Sequence, residues 1–127
     1  MAFKIMTCGD GRYFEFLYNF ERNVRRQFGF WPVIYDLGLE EEQRQRLKSD
    51  IRKVVVPEAF NTQNSLNYIR TTHKPHCVLD CLATYPQDCL YVDADAVFVS
   101  AFAEDVFGDA DIAVTPRHPK ERKEKYY

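Results

Sequence analysis

Apolar residues recur along this chain with two periods. Short runs rich in β-branched and aromatic residues, at 3–8, 32–37, 53–57, 89–99 and 111–116, predict strands. Between the first two runs, Tyr13, Leu17, Phe20, Val24 and Phe28 recur at helical spacing, with Arg and Glu on the opposite face. Residues 40–47 predict a short solvated helix in which Glu40–Arg44 and Glu42–Arg46 form i,i+4 pairs. A third helix is predicted over 74–85, with Pro75 in its first turn, and a brief fourth over 101–107, stopped by Gly108. Residues 61–72 are the most polar stretch and read as a surface loop with a frayed helix.

Strands that alternate with helices predict an α/β fold: an open, mostly parallel sheet with helices on both faces. Right-handed crossovers then place every strand-to-helix loop on one edge of the sheet, where ligands of such folds bind. The strand ends on that edge read Thr7-Cys8-Gly9-Asp10-Gly11, Tyr35-Asp36-Leu37-Gly38 and Asp93-Ala94-Asp95. Acid or glycine stands at each.

Composition narrows the partners. A length of 127 residues fits one domain, and a hydrophobic fraction of 46% supplies a real core. The net charge of −2 argues against nucleic acid or an anionic membrane as partner. No run is long enough for a transmembrane helix, and the start lacks the apolar stretch of a secretory signal. A cytoplasmic location is therefore expected, with Cys8, Cys77, Cys81 and Cys89 as free thiols. Their spacing matches no zinc pattern. On a helix over 74–85, Cys77, Val78, Cys81, Leu82 and Tyr85 form one apolar stripe, so these cysteines read as core.

The sharpest chemical feature is the run from Cys89 to Val99, in which apolar sequence meets Asp93 and Asp95 and then resumes. On a continuous strand, residues i and i+2 share a face, so both carboxylates point into one space. Two such charges raise each other's pKa unless a cation lies between them. Mg²⁺ and Mn²⁺ are held by one or two carboxylates together with substrate phosphates, so a metal–diphosphate site is expected. The alternative is a turn whose aspartates face water.

The segment Lys74-Pro75-x9-Tyr85-Pro86-x-Asp88-Cys89-Leu90-Tyr91-Val92-Asp93-Ala94-Asp95 resembles the glycosyltransferase A-type fold, in particular glycogenin and the bacterial lipopolysaccharide hexosyltransferases. Val33 to Leu39 resembles the second strand and turn of related transferases, and Asp111 to Arg117 the strand after the metal motif. The resemblance implies the donor half of a Rossmann-like nucleotide-diphospho-sugar transferase. Mn²⁺ or Mg²⁺ would be the cofactor and a nucleoside-diphosphate sugar the partner, with a UDP-sugar favoured by analogy. It assigns Asp95 as the direct metal ligand, Asp93 to the metal or the ribose hydroxyls, and Ala94 to the same donor site. Thr7, Cys8, Gly9 and Asp10 would line base and ribose, and Lys74 would face the phosphates. A cation at a helix start also needs a nearby anion. Tyr13 either stacks on the base or belongs to the core. Asp36 either holds a hydroxyl or caps the helix that follows.

Members of this family continue with an acceptor site and a third metal ligand, often histidine. His118 lies too early to match that ligand, and residues 118–127 form a charged tail. The expectation is a single nucleotide-sugar-binding domain over 1–127, truncated at its C-terminus, with no catalytic residue of its own and little turnover alone. Self-association or completion by another chain follows from the unfinished sheet. A non-catalytic binding module is the alternative. A haloacid-dehalogenase-type phosphatase with Asp93 as nucleophile is a weaker one, since that motif normally opens its domain. The lack of a spaced third glycine in Cys8-Gly9-Asp10-Gly11-Arg12 argues against a classical dinucleotide-binding domain.

Overall fold

The computed structural model describes residues 3–55 and 66–114, with backbone alone for 66–72 and 104. Strand β1 (Phe3–Gly9) leads through a 3₁₀ turn (Gly11–Tyr13) into α1 (Phe14–Phe28). Then follow β2 (Val33–Asp36), α2 (Glu41–Arg46), β3 (Asp50–Arg52), α3 (Leu66–Thr84), β4 (Asp88–Tyr91) and a 3₁₀ turn at Glu104–Phe107. The strands pair in the order β3-β2-β1-β4, all parallel.

Period-two patterning on β1 assigns the two faces. Phe3 and Ile5 pack with Phe20 and Val24 of α1, whereas Met6 and Cys8 pack with Cys77 and Cys81 of α3. The neighbouring strands keep that parity: Ile34 faces α1 and Val33 and Tyr35 face α3. All four residues of β2 are buried, as a central parallel strand covered on both sides requires. Leu17, Phe20 and Val24 have at most 1% exposure. Burial of each contributes about 1.5–3 kcal/mol, which docks α1 firmly on the sheet.

Buried polar groups set the strand ends. The Glu21 carboxylate, wholly enclosed, accepts from the backbone N–H groups of Lys48 and Ser49 and from the Ser49 hydroxyl at 2.7–3.1 Å. This contact fastens the entry to β3 against α1. It explains why β3 runs over Asp50–Arg52 rather than the expected 53–57: Val55 is 96% exposed, and residues 56–57 lie outside the described residues.

Three further expectations are corrected. Helix α3 starts at Leu66, so Pro75 lies inside it and part of the expected loop over 61–72 is helix; residues 61–65 lie outside the described residues. β4 ends at Tyr91 rather than running to Val99, because its ladder stops where the Val92 N–H meets the Met6 carbonyl at 3.0 Å. Asp93-Ala94-Asp95 then turns, as aspartate at a sheet edge favours. Asp111 to Val114 are exposed and not a strand, while Thr115 and Pro116 lie outside the described residues, as does the tail over 118–127. In α2, Arg44 reaches Glu41 and Asp36, and the Arg46 guanidinium lies over the rings of Phe14 and Tyr18. The helix is solvated as expected, with no buried residue, but Arg44 and Arg46 make these contacts in place of the expected i,i+4 pairs.

Candidate functional site

The chain leaves β1 toward β2 on one side and returns at β4 on the other, so the topological switch point lies between the carboxyl ends of β1 and β4. Crevices at such points are where open α/β sheets bind ligands. The segments converging there are Thr7–Asp10 from β1, Asp36–Gly38 from the adjacent β2, and Asp93–Asp95 from β4.

The β1 and β2 ends are welded together. Leu37 N–H donates to Gly9 O at 2.9 Å, and Gly11 N–H donates to Gly38 O at 3.0 Å. Gly9 permits a close approach, since a Cβ there would come within 3.2 Å of a Leu17 methyl. Gly38 has φ +142°, in the region that favours glycine. Asp36 governs this turn: its Oδ1 accepts from Gly38 N–H at 2.8 Å and Leu39 N–H at 2.6 Å, and its other oxygen meets Arg44. Burial opposes the charge, but the Leu39 and Gly38 amides and the Arg44 guanidinium outweigh it and hold the carboxyl below its usual range. Asp36 thus caps the turn before α2, whereas the helix itself is capped by Glu40.

Asp10 caps the following 3₁₀ turn, accepting from Arg12 N–H at 3.0 Å. Tyr13 is 39% exposed, at the entry to α1, so it is not core; Phe14 takes the buried position. Thr7 is fully buried on the α1 face, and its hydroxyl has no hydrogen-bond partner among the described residues. Its side chain is therefore closed to a ligand's base or ribose. Cys8 faces α3, where its sulfur lies 3.7 Å from the Tyr91 hydroxyl. Hydrogen bonding from the Cys77 thiol brings Cys8 down to about 7 against the opposing effect of burial, helped by Tyr91 and Lys74.

The β4 end carries the acids, but not as a strand. Ala96 N–H donates to Asp93 O at 3.0 Å, closing a turn. Ala94 packs against the cluster of Phe14, Leu17 and Ile34, and both flanking aspartates are exposed. The shared strand face expected for the two carboxylates is thus replaced by a turn pinned at its middle residue. Asp93 accepts at one oxygen, Oδ1, from the Tyr91 hydroxyl at 2.7 Å and the Lys74 ammonium at 3.1 Å. Burial works against its charge, yet these two donors hold it below the ordinary carboxylate range. Lys74 lies well inside α3, not at its start, so the helix dipole does not explain its need for an anion. Asp93 supplies that anion.

The Tyr91–Asp93 contact was legible in principle, since i and i+2 share a face, but Tyr91 read as an apolar strand residue. Asn23 gave no local signal. From α1 its amide donates to Phe98 O at 2.9 Å and accepts from Phe98 N–H at 2.7 Å, tying down the chain beyond the acidic turn. Among the described residues no group of three or more His, Cys, Asp or Glu is placed to hold a metal. Two exposed carboxylates at the β1/β4 switch point still fit a hard divalent cation that takes its remaining oxygens from phosphate and water.

No family model matches the chain, and no curated protein matches it either. A crystal structure of an active-site mutant of LgtC does, with a TM-score of 0.59 and 21% identity over 85% of this chain and 42% of that one. The fold is the glycosyltransferase A type. The chain thus spans less than half the length of LgtC. A glycosyltransferase A-type sheet agrees with the sequence resemblance. No helix among the described residues is long and apolar enough to cross a membrane.

Proposed function

We propose that this chain is the donor-binding part of a metal-dependent glycosyltransferase that uses a nucleoside-diphosphate sugar, with UDP as the favoured nucleotide. The observation that supports it most is the position of the Asp93–Asp95 turn. In a glycosyltransferase A-type fold it stands at the β1/β4 switch point, with the Lys74 ammonium beside it. Asp93 and Asp95 would hold Mn²⁺ or Mg²⁺. The metal, when bound, neutralises the charge that grows on the departing diphosphate.

The chain's own residues do the rest. Lys74 adds a mobile cation for the diphosphate, as a lysine serves phosphate by point charge rather than by planar fit. Asp10 and Tyr13, both at the exit from β1, border the nucleotide; Cys8 and Gly9 shape the floor beneath it. Ala94 holds the two acids apart and outward. An acceptor hydroxyl must also be positioned, and such positioning is worth roughly 7–11 kcal/mol of barrier. None of the residues named above is assigned that task; their part is to bind the donor.

Calorimetry with UDP tests this reading. Binding is expected with Mn²⁺ and should be lost with a chelator. Asp95→Asn should weaken it at least several-fold while leaving metal-free stability unchanged or slightly higher. Equal UDP binding with and without metal would remove the metal role from both aspartates.

A further inference from the structure

Outside the switch-point site, a pair of thiols on the α3 face of the sheet has no role in the reading above. The sulfurs of Cys81 and Cys89 approach to 2.9 Å, and both residues are free cysteines. We infer that Cys81 and Cys89 form an oxidative modification site, at which a low-molecular-weight disulfide such as oxidised glutathione converts them to an intramolecular disulfide fastening α3 to β4.

Each thiol is aimed by contacts the other does not make. On the helix, the neighbouring Asp80 accepts from the Tyr35 hydroxyl at 2.6 Å and the Arg52 guanidinium at 2.8 Å, which holds this turn of α3 over the sheet. On the sheet, Cys89 is paired in register with Lys4 of β1. At 2.9 Å the two sulfurs lie only about 0.9 Å beyond the length of an S–S bond. Cys89 is half-buried and so open to a small oxidant, whereas Cys81 is enclosed. Burial also pushes the Cys81 thiol up to about 12, helped by its contact with Cys89, so Cys89 is the sulfur that reacts first. The other thiol pair, Cys8 with Cys77, has both members buried and lacks such an entry.

The steps balance by exchange. The Cys89 thiolate attacks one sulfur of oxidised glutathione and expels one glutathione thiolate, leaving a mixed disulfide. The Cys81 sulfur then attacks the Cys89 sulfur, loses its proton and expels the second glutathione thiolate. Two protein thiols are oxidised, one glutathione disulfide is reduced, and both protons end on glutathione. The cross-link closes a short loop and joins the helix that carries Lys74 to the strand that leads to Asp93. It therefore stiffens two elements that meet at the β1/β4 switch point, whatever binds there.

The whole chain, equilibrated anaerobically in glutathione redox buffers, quenched with acid and alkylated, gives the test. The expected product is lighter by two hydrogens, maps to a peptide linking Cys81 and Cys89, carries no glutathione, and melts several degrees higher than the reduced form. Cys81→Ala should instead trap glutathione on Cys89, and Cys89→Ser should take up none at either position. Full alkylation of both thiols at every glutathione ratio would overturn the inference. So would a mixed disulfide on Cys89 that persists in the unaltered chain, or a disulfide that maps to Cys8 and Cys77.

Discussion

The Lys74 ammonium and the Tyr91 hydroxyl meet at a single oxygen of Asp93, at 3.1 and 2.7 Å. The lysine comes from α3 and the acid from the turn after β4, so the pair bridges a helix and a strand end at the switch point. Under the proposed function, this ammonium would compete with a divalent cation for the Asp93 carboxylate.

A cation arriving without nucleotide would then meet Lys74 as a competitor for Asp93. Side chains as exposed as these, 37% and 60%, form pairs worth about 0.2–1 kcal/mol. Lys74→Met should accordingly tighten Mn²⁺ binding in the absence of nucleotide by roughly 1.5–5-fold. The same change should weaken UDP binding in the presence of Mn²⁺, since a phosphate partner is lost. Titration of free Mn²⁺ by electron paramagnetic resonance, with and without UDP, reads both effects. Weaker metal binding in both conditions would show that Lys74 supports the site rather than competing for it.

Asn23 acts on the acidic turn from a distance. Its two hydrogen bonds to Phe98 secure the chain beyond Asp95, and Phe98 also packs against Phe28 with ring centroids 5.0 Å apart. Asn23→Ala leaves a partly buried N–H and C=O unpaired, at a cost of about 1–3 kcal/mol. Hydrogen exchange should accelerate at the Phe98 amide, and affinity for UDP with Mn²⁺ should fall although neither ligand is expected to touch Asn23. Unchanged protection of that amide would remove this anchoring role.

Asp36 gives the acid limb of stability a specific cause. Its carboxyl is held below the ordinary range in the folded chain, so it is the ionised form that the fold favours. The contribution is complete above the unfolded value of about 3.9 and is lost as pH falls through the lower folded value. Asp36→Asn should destabilise the chain at neutral pH by roughly 2–4 kcal/mol, because Arg44 loses its enclosed partner. Denaturant melts from pH 7 down to pH 3 should show the variant's stability changing less over the acid limb than that of the parent. Parallel acid limbs would assign the loss to another carboxylate.

Local pattern was enough to establish the class of fold. Alternation on β1, the apolar stripe of α1 and the glycines at strand ends all follow from period and backbone sterics, which neighbours in sequence encode. Asp93 and Asp95 were visible for the same reason, as two acids interrupting an apolar run. What surrounds them was not. Whether that run stayed a strand depended on how far β1 could pair with it, and only the tertiary structure ends the ladder at Val92. The length of α3 and the resulting interior place of Lys74 were likewise decided by packing, since the polar residues before His73 read as loop on propensity alone. Burial of Thr7, the fixing of Asp36 by Arg44, and the grip of Asn23 on Phe98 join residues that are up to 75 positions apart. Sequence determines which chemistry is carried to the edge of the sheet. Which of those groups remain available there depends on hydrogen bonds formed only once distant elements are packed together.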